Sequence, residues 1–125
     1  MTTLTHKSIA LDIGLSFVRT YFFNLKGDYV VRDFDLKEEM TPGSLTVFIC
    51  ELVDSIDIDH LVEKLTVVIP GVVDTQRRLV QSFAELPGWR NVPLADWLEI
   101  RLGTKVSIFS KKSHSLITDL TLFSP

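Results

Sequence analysis

The sequence LTVVIPGVVD at residues 65–74 decides the fold of this chain. Its first five residues form a continuous apolar run that Pro70 and Gly71 end, a pattern typical of a strand buried on both faces of a sheet. Before it, apolar residues recur at spacings of three and four from Leu45 to Ile56, which predicts an amphipathic helix. A helix that leads into such a strand indicates a parallel crossover connection. The chain is therefore predicted to be an α/β protein.

Patterns on either side of this unit predict the rest of the sheet. Alternating apolar residues and stretches rich in aromatic and β-branched residues predict strands, and apolar residues at helical spacing predict helices. The other predicted elements are strands at 8–13, 17–23, 29–35 and 106–109, a helix at 94–102 ended by Gly103, and a final helix at 113–122. We predict only turns between the buried strand and the second helix. This order is typical of a single ribonuclease-H-like (actin-like ATPase) lobe, a mixed five-stranded sheet with flanking helices.

The length and composition limit the functions that the chain can have. Its 125 residues allow one compact domain. The net charge of −3 gives no electrostatic footprint for nucleic acid, so we predict no direct binding of DNA or RNA. The sequence has neither an apolar run long enough for a membrane span nor a signal-peptide pattern, which predicts a cytoplasmic protein. The single cysteine, Cys50, is predicted to lie in the core.

No residue pattern predicts a metal site. The three histidines are scattered and lack the spacing of zinc ligands. The carboxylates of Glu51, Asp54, Asp57 and Asp59 are close together in the sequence, and we predict that they form a solvated face rather than a cation site.

Four short segments, three at the ends of predicted strands and one leading into the second predicted helix, carry a resemblance to a known family. They are DIGLS at 12–16, PGVVD at 70–74, LPGWRNVPL at 86–94 and SKKS at 110–113. Together they resemble the ROK family, the sugar kinases and sugar-responsive repressors of the actin-like fold. The resemblance covers residues 8–122 and implies that the chain is one N-terminal lobe, at 1–125, without the second lobe.

The resemblance implies a phosphate-binding turn after the first strand. ROK proteins have Asp-x-Gly-Gly-Thr there, and the equivalents in this chain are Asp12, Gly14 and Ser16. Leu15 replaces the second glycine of that motif. A branched side chain adds steric cost where the backbone takes positive φ or closely approaches an anion. We therefore predict that phosphate binding is lost.

The resemblance also implies a sugar site, with Gly71, Glu85 and Ser110 as the equivalents of sugar-binding residues. Glu85 replaces an asparagine of the family, and an ionised carboxylate only accepts hydrogen bonds, whereas an amide both donates and accepts. The nearby Trp89 and Trp97 are predicted to pack around the second helix rather than to stack on a ligand.

The position of the catalytic base holds Lys111. In ROK kinases an aspartate at this position takes the proton of the attacking sugar hydroxyl. A lysine cannot accept a proton at neutral pH unless burial lowers its pKa by several units. The sequence therefore predicts no catalytic residue and no phosphoryl transfer.

Two functions remain after this comparison with the family. The first is a non-catalytic ROK-like domain, related to sugar-responsive regulators or to a degenerate sugar kinase, that needs no cofactor and binds a sugar or sugar phosphate. The second is the N-terminal half of an ATP-dependent hexose or N-acetylhexosamine kinase that a separate or missing lobe completes, with ATP and magnesium as ligands. The apolar residues Leu116, Leu120 and Phe123 of the predicted final helix further predict a homodimer or a second-lobe partner.

Overall fold

The computed structural model describes residues 6–24, 28–36, 40–57, 61–84 and 86–111. In chain order, its elements are β1 (His6–Ile13), β2 (Phe17–Asn24), β3 (Tyr29–Asp35), α1 (Pro42–Ile56), β4 (Lys64–Ile69), β5 (Gly71–Asp74), β6 (Leu79–Phe83), α2 (Leu94–Leu102) and β7 (Lys105–Ser110).

Five of the strands form one mixed sheet in the order β3-β2-β1-β4-β7. β1, β2 and β3 form an antiparallel meander, while β4 lies parallel to β1 and β7 lies parallel to β4. The predicted α/β fold with a mixed five-stranded sheet is therefore confirmed. The predicted final helix lies outside the described residues, as do the three apolar residues on which the homodimer prediction rests.

The segment after β4 contains a hairpin that the sequence analysis did not predict. β5 and β6 pair in antiparallel orientation as a separate two-stranded sheet. The Asp74 carboxylate shapes the turn between them, because Oδ1 accepts hydrogen bonds from the amides of Gln76 and Arg77 at 3.1 and 3.0 Å. The strands are only four and five residues long, and a register shift between Val72 and Val73 interrupts their pairing. Strands this short and irregular do not produce a clear alternation of apolar and polar residues in the sequence.

Local signals set the ends of both helices. Thr41 caps α1: the Ser44 amide donates to its hydroxyl at 3.1 Å, and the Thr41 amide donates to Ser44 Oγ at 2.9 Å. This reciprocal arrangement satisfies two backbone donors at the helix start. α2 ends at Gly103, whose φ of 67° is the left-handed conformation that glycine adopts without strain. The predicted cap at Gly103 is confirmed.

The main core lies between α1 and one face of the sheet. Leu45, Ile49 and Val53 of α1 are buried in the same cluster as the core-facing residues of β1 and β4. Cys50 is buried as predicted, and burial raises the pKa of its thiol. A smaller cluster of Ala10, Phe23 and Val68 lies on the opposite face of the sheet.

Asp57 contradicts the predicted solvated carboxylate face. It follows α1 directly and is only 8% exposed. Its carboxylate accepts hydrogen bonds from the amides of Leu61 at 2.7 Å and Val62 at 3.0 Å, so it links the end of α1 to the residues just before β4. Asp59 lies outside the described residues. Glu51 and Asp54 are exposed as predicted. Neither helix of the described residues is long and apolar enough to cross a membrane.

Candidate functional site

The candidate site lies at the carboxyl ends of β1, β4 and β7. Because these three strands are parallel, their carboxyl ends lie side by side at one end of the sheet, which is where ligands of open α/β sheets bind. Asp12 is near the end of β1, while Ser110 ends β7 and Lys111 follows it. The sheet thus brings the predicted phosphate turn and the position of the catalytic base together.

Lys111 ties the end of β7 to the end of β1. Its ammonium nitrogen lies 2.7 Å from Asp12 Oδ1 and donates a hydrogen bond to the Ile13 carbonyl at 3.0 Å. Asp12 Oδ1 has no hydrogen-bond partner among the described residues, so its contact with Lys111 is an ion pair only. The Lys111 amide also donates to the Ile69 carbonyl at 2.8 Å. Backbone and side chain of Lys111 therefore connect all three strand ends.

The ion pair is shielded from solvent only in part. The side chains of Lys111 and Asp12 are 33% and 24% exposed. The two opposite charges neutralise each other where the family resemblance places a carboxylate base and a phosphate turn. A carboxylate that already faces an ammonium group at this distance is poorly placed to bind another cation.

The turn from β1 to β2 is closed by its own backbone. The Gly14 amide donates to the Phe17 carbonyl at 2.9 Å, and the Ser16 carbonyl accepts from the Leu36 amide at 2.9 Å. A Cβ on Gly14 would lie 2.9 Å from the Phe17 carbonyl oxygen, so this position needs glycine for space.

Leu15 costs the turn no backbone strain. Neither Gly14 nor Leu15 takes a positive φ, which corrects the expectation that the backbone at this position requires glycine. The Leu15 side chain is 63% exposed beside Ser16, which is also exposed. What Leu15 does is place a branched apolar side chain on the surface that an anion would have to approach.

Gly71 and Ser110, two of the predicted sugar-binding positions, contact each other. The buried Ser110 hydroxyl donates a hydrogen bond to the Gly71 carbonyl and so joins β7 to β5. A Cβ on Gly71 would lie 2.9 Å from the Cα of Phe83, because β5 and β6 approach closely there. Both residues therefore have a structural role: Gly71 lets β5 and β6 approach closely, and Ser110 joins β7 to β5. Their sugar-binding role stays a prediction. Glu85, the third position, lies outside the described residues.

The two tryptophans differ in their packing. Trp89 is 3% exposed, its indole N–H donates to the Met40 carbonyl at 2.9 Å, and its ring centre lies 4.7 Å from that of Phe83. Trp89 therefore packs in the buried cluster that also contains Leu94 and Leu98 of α2, in agreement with its predicted packing around the second helix. Trp97 is 37% exposed and borders a surface groove between α1 and α2 together with Ile100, so its packing is partial.

The sequence analysis missed an ionic cluster at the β7 edge of the sheet. Arg78 Nη2 lies 2.7 Å from Glu99 Oε2 and donates to the Val106 carbonyl at 2.8 Å. Glu99 Oε2 in turn accepts from the Val106 amide at 2.8 Å, and Asp96 lies 3.1 Å from Arg78 Nη1. The hydrogen bonds from Arg78 and Val106 hold the pKa of the Glu99 carboxyl below its usual 4.5.

No sequence signal could have found this cluster. Arg78 belongs to the β5–β6 turn with a φ of +61°, and Glu99 lies 21 residues away on α2. Their contact depends on a hairpin that the sequence does not reveal. The cluster borders a cleft of about 340 Å³ that β7 also lines. Among the described residues, no group of three histidine, cysteine or acidic side chains is placed to hold a metal ion.

The strand order and the site at the carboxyl ends of its parallel strands define one actin-like lobe. Comparison with solved structures gives matches to ROK proteins. A ROK family glucokinase from Streptomyces griseus, solved with glucose and AMPPNP, is 25% identical with a TM-score of 0.67, over 81% of this chain and 32% of that chain. The inorganic polyphosphate/ATP-glucomannokinase of an Arthrobacter species is 22% identical with a TM-score of 0.68, over 82% and 43%.

A ROK family transcriptional regulator, described as a homologue of the Escherichia coli MLC protein, matches with 13% identity and a TM-score of 0.68, over 88% of this chain and 29% of that chain. The predicted resemblance to the N-terminal lobe of ROK proteins is thereby confirmed. The chain spans 32% and 43% of the two kinases. No protein-family model and no curated protein sequence matches the chain.

Proposed function

We propose that this chain is a non-catalytic ROK-like lobe with a binding or regulatory role. The observation that carries the proposal is the ion pair of Lys111 with Asp12 at 2.7 Å. It sets an ammonium group at the position of the catalytic base and occupies the carboxylate of the phosphate turn. At the described ends of β1 and β7, the site then offers neither a free proton acceptor for a sugar hydroxyl nor an unpaired carboxylate for a metal–nucleotide complex.

The described residues do not fit nucleotide phosphate. A phosphate-binding turn presents backbone amides to the anion, but the Gly14 amide is already bonded to the Phe17 carbonyl. The exposed Leu15 side chain adds an apolar obstacle beside it. ATP and magnesium therefore have no place in the function that we propose.

The ligand that we propose is a neutral or weakly charged sugar. Because Lys111 and Asp12 neutralise each other, the site carries no net charge from this pair. Neutral polyols are bound through directional hydrogen bonds rather than through net charge. The match to a ROK transcriptional regulator supports a regulatory role for a lobe of this fold.

Calorimetry with ATP and magnesium tests the proposal on this lobe alone. We expect no binding by the wild-type chain in the micromolar range. The double variant Leu15→Gly, Ser16→Thr recreates the family motif, and the variant Lys111→Met removes the ammonium while keeping most of the apolar part of the side chain. Tight binding of ATP by the wild type would overturn the proposal and favour the half-kinase that the two kinase structures suggest.

Titration with sugars tests the binding role separately. Glucose, mannose, N-acetylglucosamine and N-acetylmannosamine would be added while thermal unfolding and amide chemical shifts are followed. We expect at least one of them to raise the unfolding temperature and to shift the amide signals of the strand ends. If none binds, even at millimolar concentrations, the sugar-responsive role is wrong. A coupled assay of ADP release with the same sugars should stay at the blank, and clear turnover would contradict a non-catalytic lobe.

A further inference from the structure

The β3 edge of the sheet is open along its length. β3 pairs with β2 on one side, and no described strand lies on its other side. The Asn24 amide bonds to the Asp28 carbonyl, and the Leu36 amide bonds to the Ser16 carbonyl. Since hydrogen-bonded pairs alternate in an antiparallel ladder, the even-numbered residues of β3 face β2. The amides and carbonyls of Tyr29 and Val31 therefore point outward.

This open edge, residues 28–32, has apolar residues at its three central positions, which lie on both faces of the sheet, and charged residues only at its two ends. Tyr29, Val30 and Val31 are 45%, 50% and 43% exposed. Edge strands that avoid pairing with other chains usually carry a proline, a bulge or charged side chains, most often lysine. The charged side chains of this segment, Asp28 and Arg32, lie only at its two ends. The pairing of β3 with β2 contains no bulge, and the segment contains neither proline nor lysine.

The charges of the open edge complement each other across a two-fold axis. Asp28 precedes the apolar residues and Arg32 follows them. Neither side chain forms an ion pair within the part of the chain that the structure describes. Four residues along one strand span about 13 Å, too far for the two to pair within one chain. A second copy in antiparallel orientation would bring each of them opposite its complement.

We propose that a second copy of this chain pairs with the open edge and joins the two sheets into one of ten strands. Val30 lies on the two-fold axis opposite its own copy, Tyr29 lies opposite Val31, and Asp28 lies opposite Arg32. The outward amides and carbonyls of Tyr29 and Val31 then exchange four hydrogen bonds. The two charged pairs and the two aromatic–aliphatic pairs are of the kinds that stabilise neighbouring strands.

The charges select this register over its neighbours. Moving the axis to Arg32 would place the two arginines directly opposite each other, which is destabilising. Moving it to Val31 would place Arg32 opposite Val30 and leave Asp28 without a cation. The interface is short, so we expect a dissociation constant in the micromolar range or weaker. This interface lies apart from the candidate site, and pairing of the two copies does not require the proposed binding function.

Charge exchange at the open edge tests the register. Asp28→Arg places arginine opposite arginine, and Arg32→Asp places aspartate opposite aspartate, so each variant should dissociate on the order of tenfold more readily. The double variant Asp28→Arg, Arg32→Asp should restore the wild-type dissociation constant. An equimolar mixture of the two single variants should form heterodimers. Sedimentation equilibrium over a concentration series measures all of these.

A backbone variant separates pairing from folding. Val31→Pro deletes an amide that faces outward, so it should abolish the dimer while the circular dichroism of the monomer is preserved. Val30→Pro deletes an amide that bonds to β2 and is the matched control, which should lose stability instead. A wild-type chain that stays monomeric at the highest soluble concentration would overturn the proposal. So would a dimer that the charge variants and Val31→Pro leave unchanged, since its interface would then lie elsewhere.

Discussion

The two edge strands of the five-stranded sheet differ in whether their outward-facing backbone groups are hydrogen-bonded. At the β7 edge, which we call the covered edge, the amide and the carbonyl of Val106 are both bonded, to Glu99 and to Arg78. At the open edge, the outward groups of Tyr29 and Val31 have no described strand beside them. The difference shows that side chains can stand in for a neighbouring strand, but only where other elements lie close enough to supply them.

Chain order explains which edge is covered. The β5–β6 hairpin and α2 lie in the sequence between β4 and β7, so they pack beside β7 and bring Arg78 and Glu99 to it. β3 has no such element, because the chain continues from it to α1, which covers the core face of the sheet. The β7 edge strand is therefore bonded by residues from other elements of the chain, whereas the β3 edge strand is bonded only by β2, its neighbour in sequence.

Gly71→Ala should have the largest effect, because it disturbs the hairpin beside the covered edge. The added Cβ would meet backbone atoms of β6, including the Cα of Phe83 at 2.9 Å, and backbone cannot move aside cheaply. We expect a loss of about 3 kcal/mol in the free energy of unfolding, measured with urea. Gly43→Ala is the matched control, since a Cβ there meets nothing within 4 Å. An equal loss in both variants would mean that close packing at Gly71 is not the cause.

Glu99→Gln should destabilise the covered edge by about 1 kcal/mol, since the loss of a charged acceptor is moderated by the exposure of the pair to solvent. The pKa of the Glu99 carboxyl lies below 4.5 in the folded chain. Its contribution is therefore complete above the unfolded-state pKa and is lost as the pH falls through the folded-state pKa. The difference between wild type and variant should shrink on acidification.

The measurement is urea unfolding of both proteins between pH 7 and acidic pH. Glu51→Gln removes the same charge from an exposed position that makes no ion pair with a described residue, so it serves as the control. A difference for Glu99→Gln that does not change with pH would show that the carboxylate does not act through its charge.

Thr20→Val should stabilise the chain by about 1 kcal/mol. Thr20 lies on β2, next to the open edge, with its hydroxyl fully buried and without a hydrogen-bond partner in the described part of the chain. Valine keeps the shape of the side chain and removes the unsatisfied oxygen. Thermal unfolding compares it with Thr20→Ser, which keeps the hydroxyl and loses a methyl group and should be less stable than wild type. A destabilised valine variant would reveal a partner for this hydroxyl.

Arg19→Ala should have the smallest effect, because it removes an ion pair between two exposed side chains, one on β2 and one on β3 beside the open edge. Arg19 and Asp33 lie 2.9 Å apart and are 45% and 48% exposed. Water screens such a pair, so we expect no measurable change in urea unfolding at physiological salt. A loss as large as that of Glu99→Gln would remove the contrast between the two edges.

The elements that the sequence predicted are those with a long pattern of apolar or β-rich residues that are neighbours in the chain. β3 has the predicted bounds, 29–35, because β-rich residues fill it and turns flank it. α1 and α2 were found from their apolar spacing, and Gly103 marked the end of α2. The β5–β6 hairpin escaped because strands this short show no clear alternation. Local patterning thus predicts single elements well, and the fold follows from their order.

The candidate site was predictable in position but not in its contacts. The prediction that the catalytic base is missing rests on Lys111 alone, since the residue type decides whether a proton can be accepted. Its pairing with Asp12 could not, because nothing in the spacing of two residues so far apart says that their side chains meet. The same reason hid the pairing of Arg78 with Glu99.

The contact of Lys111 with the end of β1 has a consequence for the order in which the chain folds. Lys111 and the Ile13 carbonyl are 98 residues apart, so their hydrogen bond closes one of the longest loops in the protein. The entropy of closing such a loop must be overcome before the bond contributes, whereas β1 and β2 meet through a short turn. We therefore expect the bond to be absent from the folding transition state. Lys111→Met should leave the refolding rate unchanged and speed unfolding. The contact of this lysine would then slow the unfolding of the native lobe without affecting how fast the lobe forms.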